Sequence, residues 1–187
     1  MNKYLILICL FFLQVGIAVA HVTPNVQLAQ RGDFIKVSLP GATKFFEHQL
    51  NVNAAGLAEI RKATDWTPSA DDTRIYVGRD NDSHLVGSVV FLWVPSEHGP
   101  IGIAVAFNPN GTIINAAVTD VGAEPLTWIW PLLEEGAMAA FQGLSDTQTP
   151  NPATVAPHVE GAMSRYYAKV IAEGVSRAQA LIRAMQF

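Results

Sequence analysis

Residues 85–121, LVGSVVFLWVPSEHGPIGIAVAFNPNGTIINAAVTDV, decide the fold. The stretch holds three strand-like runs of apolar and β-branched residues, divided first by Pro95 to Pro100 and then by Asn108-Pro109-Asn110-Gly111. The second break is a hairpin signal, because Asn-Gly tolerates the positive φ that a tight turn needs. Three runs joined by short breaks predict an antiparallel meander. Side chains alternate along a strand, so Ile101, Ile103, Val105 and Phe107 share one face of the middle run, while Gly102, Ala104 and Ala106 share the other. One face is bulky and the other flat. A flat face admits a helix or a planar ligand close to the sheet, and the expectation drawn from it is an α+β fold with helices packed on that flat face.

Before the meander, residues 73–78 (TRIYVG) read as another strand, followed by a polar turn over residues 79–83. Asp80, Asn81 and Asp82 sit in that turn, but the glycine and glutamate positions of an EF-hand loop are missing, so a solvated turn is expected. Residues 53–63 carry Leu57 and Ile60 on one side and Glu59, Arg61 and Lys62 on the other, the pattern of a short amphipathic helix. Residues 26–39 show no clean period.

After the meander, residues 124–141 form a helical stretch in which Pro131 predicts a kink or a true start, since proline removes a backbone donor. Trp128 and Trp130 stand out there, either as core or lid aromatics or as the border of an aromatic ligand. Residues 145–158, rich in Pro, Thr and Asn, predict a loop. From Gly161 to Met185 apolar residues recur at helical spacing, predicting a helix that covers the sheet. Its first residues, Gly161-Ala162-Met163-Ser164-Arg165, place a glycine, a hydroxyl and a cation where free backbone N–H groups and the helix dipole favour a phosphate. Most helix starts with Gly and Ser bind nothing, and Met163 suits a core better than a ligand contact.

The chain opens with Lys3, an apolar run from Leu5 to Leu13, and Ala18-Val19-Ala20, the composition of a secretory signal peptide over residues 1–20. The run is short of the ~20 residues a membrane span needs, so the expectation is a periplasmic or secreted protein with no stable span after cleavage. Residues 21–187 then form a single domain. The only cysteine, Cys9, falls in the leader, which leaves no disulfide or thiolate metal site for the rest. The chain of 187 residues has 12 basic and 16 acidic residues, a net charge of −4, which becomes one unit more negative when Lys3 is removed. No basic cluster offsets this, which argues against a nucleic-acid partner. Cleavage after Ala20 makes His21 the first residue. An N-terminal histidine chelates copper through its amino and ring nitrogens, a reading that competes with mere peptidase placement, because His48, His84, His98 and His158 show no metal-ligand spacing.

The order of these pieces resembles the FMN-binding domain family, known from flavin-carrying subunits of ion-linked electron-transport complexes and from regulators of nitrous oxide reductase. The resemblance runs over residues 39–181 and rests on Leu39-Pro40-Gly41-Ala42, the Ile75-Tyr76-Val77-Gly78 strand with Gly87 after it, Gly99-Pro100-Ile101, Asn110-Gly111, Glu124-Pro125-Leu126 and the late Gly161-Ala162. The family's late motif resembles Ser-Gly-Ala-Thr-x-Ser/Thr, whose last hydroxyl can carry the FMN phosphate as an ester. Gly161 and Ala162 match it, whereas Glu160, Met163 and Arg165 depart from it. The resemblance implies an FMN-binding electron-transfer or redox accessory protein that serves a redox protein or a membrane electron-transport complex, an electron carrier rather than a catalyst with its own substrate. It implies phosphate binding at Gly161, Ala162, Met163, Ser164 and Arg165, and the flavin ring near Glu124, Leu126, Thr127 and Trp128; His98, beside Gly99-Pro100, reads either as a ring or phosphate contact or as a solvated loop histidine. Without a hydroxyl at Arg165, the flavin is expected to be held non-covalently. The departures leave two other readings, a flavin-free binding or assembly module of the same fold and the copper protein suggested by His21. No acid-base or nucleophilic catalytic set is legible.

Overall fold

A computed structural model describes residues 24–185. The expected leader and His21 lie outside the described residues. The meander is present and is part of a wider sheet of six antiparallel strands, β1 (Asn25–Gln27), β2 (Lys44–His48), β3 (Thr73–Arg79), β4 (Leu85–Val94), β5 (Ile101–Phe107) and β6 (Ile113–Gly122), in the order β1-β6-β5-β4-β3-β2. The two edge strands, β1 and β2, were not legible in the sequence. All five residues of β2 are exposed on its outer edge, so it carries no inside-outside alternation to read.

The hairpin between β5 and β6 turns at Gly111, whose φ is +76°. The Asn108 side chain accepts from the backbone N–H groups of Asn110 (2.9 Å) and Thr112 (3.0 Å), so the turn is tied by its own first residue. Register then follows, with Phe107 opposite Ile113 and Ala104 opposite Ala117.

Among the described residues, five helices and a 3-10 turn accompany the sheet: α1 (Arg31–Ser38), α2 (Ala54–Thr64), α3 (Ala123–Glu134), the turn Ala137–Phe141, α4 (Pro152–Val155) and α5 (Ala162–Met185). Helix α2 begins where Asn53 accepts the Gly56 N–H at 2.8 Å and ends at Asp65 in the left-handed conformation. Helix α3 runs through Pro131 rather than starting at it, then breaks at Gly136, where φ is +75°. The proline costs the bond its missing N–H would make to residue 127, one turn back. Within the expected loop 145–158, Asn151 caps the single turn α4.

The expectation of helices on the flat face is corrected by the packing. Ile101, Ile103, Val105 and Phe107 are buried in one core with Val170, Ile171, Val175, Ala178 and Leu181 of α5, together with Ile60 of α2 and Ile129 and Leu132 of α3. The long helix therefore covers the bulky face. It comes close because the small residue is on the helix and not on the sheet. A Cβ on Gly174 would lie 2.6 Å from Ile103 Cδ1 and 2.8 Å from Val94 Cγ2. Burying the larger face removes more apolar surface from water, at roughly 25 cal/mol per Å². The flat face holds a smaller core of Ala104, Ala106, Val89 and Phe91, covered by Phe34 and Ile35 of α1 and by Leu39. Strand β5 is thus buried on both sides along its whole length.

Candidate functional site

The two stretches singled out in the sequence come together on the bulky side of the sheet. Glu124, Leu126, Thr127 and Trp128 lie in the first half of α3, and Gly161 to Arg165 lead into α5, which packs against α3. The link is aromatic. Trp128 stacks on Tyr167 with ring centroids 6.0 Å apart and an interplanar angle of 11°, and Tyr166 meets Tyr167 edge-on at 5.1 Å.

The β4–β5 connection closes over this cluster. His98 lies 4.9 Å from the Trp128 ring and its Nδ1 is 3.3 Å from Glu124 Oε1. Tyr166 accepts the Glu97 N–H at 2.9 Å, and Ser96 Oγ is 3.4 Å from the Tyr167 hydroxyl. His98, read from the sequence either as a contact or as a solvated loop histidine, packs against the Glu124 to Trp128 segment. Tyr167 is fully buried, and that burial pushes its phenol pKa up, with the Ser96 hydrogen bond acting in the opposite direction. Ser96 and the two tyrosines were missed as site residues, because the tyrosines read as ordinary members of the helical apolar stripe and Ser96 as loop punctuation.

At the start of α5, Gly161 has a φ of +102°, a conformation that favours glycine, and the chain turns there into the helix. Met163 packs partly buried against the main core and Ser164 is buried, while Arg165 is exposed. Arg165 projects into a cleft of about 590 Å³ between α3, residues 152–160 and α5, well within the range of small-ligand clefts, ~300–1,000 Å³. Leu132, Ala156, Val159 and Ala168 give the cleft an apolar wall, and His158, Glu160, Arg165 and Lys169 give it polar groups. Lys169 follows Arg165 by one helical turn, so both cations stand on one face of the helix. Lys169 was missed, although its four-residue spacing from Arg165 was there to find. Trp128 and Gly161 to Ser164 border this region without lining the cleft, and one turn of α3 separates Trp128 from Leu132.

The polar turn and the residue after it hold the one group of three metal-ligating side chains among the described residues whose ligand atoms all fall within 4.8 Å of one another, Asp80, Asp82 and His84. His84 bonds Asp80 through both its backbone N–H (2.8 Å) and its ring (3.2 Å), and these bonds lower the Asp80 pKa against a desolvation that raises it. The local bonds account for the geometry of a solvated turn.

No family model matches the chain, and no curated protein matches it either. Among the described residues no helix is long and apolar enough to cross a membrane.

Proposed function

We propose that the protein is an exported FMN-binding electron-transfer or redox accessory protein that holds its flavin without a covalent bond. The observation that carries the proposal is the cleft at the start of α5, where two cations one turn apart meet an apolar wall. A flavin mononucleotide has the matching halves, a dianionic phosphate and a flat ring system. Bound flavin supplies one- and two-electron chemistry, and the protein's task is to hold it and tune it.

The chain's residues fit the phosphate end. Arg165 offers a guanidinium fork and Lys169 a second charge, both on the cleft wall, while the first amides of α5, without intrahelical partners as at any helix start, border the cleft rather than line it. Glu160 lines the same cleft and opposes an anion, so the two cations must outweigh it. Leu132, Ala156, Val159 and Ala168 exclude water from a ring laid along the wall. Trp128 is already engaged by Tyr167 and His98, which makes it a rigid border of the site rather than a free stacking surface. Arg165 stands where the resembling family carries its ester-forming hydroxyl, and a guanidinium forms an ion pair there and no ester. The partner under this reading is a redox protein or a membrane electron-transport complex.

The test is the visible spectrum of the purified processed protein, followed by titration of the colourless form with FMN. A flavin band, released to the supernatant on acid precipitation, is expected. Flavin that stays with the acid pellet would refute the non-covalent mode. A protein that neither carries nor takes up FMN would refute the flavin reading and leave a binding module of this fold.

A further inference from the structure

The opposite, flat face of the sheet carries a second pocket, of about 440 Å³, which the flavin reading does not use. It lies at one end of the sheet, between the chain leaving β1 (Gln27, Ala29, Arg31) and the start of β3 (Asp71, Asp72, Arg74). Its floor is set by strand register. Trp93 of β4 stands opposite Gly102 of β5, and Gly102 stands opposite Asp120 of β6, so one row across three strands reads indole, no side chain, carboxylate. Neighbouring strands are ~4.8 Å apart, so the backbone that bears the indole and the backbone that bears the carboxylate lie one strand to either side of Gly102.

The gap is maintained by a register shift. Gly102 pairs with Asp120 while Ile103 pairs with Val118, so Thr119 is the extra residue of a β-bulge. A Cβ on Gly102 would lie 2.6 Å from Thr119 Oγ1 and 3.1 Å from the Asp120 side chain. Both side chains lean over the glycine, and only glycine leaves them room.

The charged groups that line the pocket are three carboxylates, Asp71, Asp72 and Asp120, and two guanidinium groups, Arg31 and Arg74. Arg31 already places its guanidinium 5.4 Å from the centroid of the Phe91 ring, so the aromatic wall holds a cation of the chain's own. Arg74 is occupied by Glu47 and by the carbonyls of Ala70 and Thr73. Asp120 meets only the neutral amide of Asn25, at 3.3 Å, and the side chains of Asp71 and Asp72 make no ion pair or hydrogen bond among the described residues. The ligand atoms of Asp71, Asp72 and Asp120 do not converge within 4.8 Å, unlike those of the 79–83 turn. They are spread too widely for a bare metal ion and suit a larger cation that spans them.

We propose that this pocket binds a small organic cation of the guanidinium, amidinium or ammonium class, with its flat or apolar part against Trp93 and its charge toward Asp120, which leans over Gly102, and toward Asp71 and Asp72. The site is separate from the flavin cleft, which lies on the other side of the sheet.

The probe is benzamidine, a flat amidinium, with neutral benzamide as its isosteric control and ethylguanidinium as an aliphatic arm, each titrated calorimetrically into the processed protein. Saturable benzamidine binding that weakens with salt is expected, at least tenfold tighter than benzamide. Asp120→Asn should weaken it about tenfold, as should the double change Asp71→Asn and Asp72→Asn, which touches only exposed side chains and keeps the test valid if the first variant unfolds. Ethylguanidinium binding as tightly as benzamidine would assign the site to the charge alone and overturn the role of the Trp93 wall. Absence of saturable binding by either cation, equal binding of benzamide, or binding indifferent to both sets of substitutions would overturn the proposal.

Discussion

Tyr167 shows how one side chain couples packing to pH. Its ring fills the space between Trp128 and Tyr166 and is fully buried, and desolvation of the phenolate raises its pKa above the usual 10.0. The folded state thus holds the proton more tightly than the unfolded chain. Its contribution is fully present below the unfolded pKa and is lost as pH rises through the folded one. Alkaline denaturation followed by circular dichroism should therefore show stability falling above about pH 10, and Tyr167→Phe should flatten that fall while leaving neutral-pH stability within ~1 kcal/mol, the usual worth of one hydrogen bond. An unchanged alkaline slope would remove Tyr167 as the cause. Arg165 is the corresponding residue for function. If FMN binds in the cleft through an exposed ion pair, Arg165→Ala should weaken binding several-fold and reduce its salt dependence, while Glu160→Gln should tighten it, both read by flavin fluorescence titration. Opposite signs for the two variants are required, since they remove opposite charges from one cleft.

At the scale of elements, α5 packs on β4 and β5 across the main core. Gly174 is the point of closest approach, where side chains of Ile103 and Val94 already occupy the space a Cβ would take. Gly174→Val should cost about 1–3 kcal/mol through overpacking, measured by urea denaturation, and more if the helix is displaced. Ala104→Leu probes the other face of the same strand. Ala104 is fully buried under Phe34 and Ile35 of α1, so the larger side chain should also cost ~1–3 kcal/mol, but by displacing the short α1 rather than the long α5. Near-neutral stability for either variant would mean that its face accommodates volume, contrary to the packing described.

For the whole molecule, the export expectation is tested by mass spectrometry of the processed protein, whose first residue should be His21 or within about two residues of it, as Ala18 and Ala20 fit the peptidase's small-residue requirement. An intact Met1 in exported protein would contradict it. The central meander, its Asn108 to Gly111 turn, α2 and α5 were all legible, because each rests on short-range rules of period, cap and turn that neighbouring residues satisfy by themselves. Edge strands β1 and β2 were not, since β2 is exposed throughout and β1 is three residues long, so neither carries a burial pattern. For the candidate site, the sequence nominated the Glu124 to Trp128 and Gly161 to Arg165 segments but not Tyr167 or Lys169, whose significance depends on what faces them across the fold. The residues of β5 fixed that one face would be bulky and one flat; which face received the long helix was decided only in three dimensions. The glycine that permits close approach lies in α5 at position 174, far along the chain from Ile103 and Val94, the residues it touches. The same holds for the row Trp93, Gly102 and Asp120. Each residue is unremarked in its own strand, and only antiparallel register with a bulge at Thr119 sets an indole and a carboxylate on either side of a missing side chain.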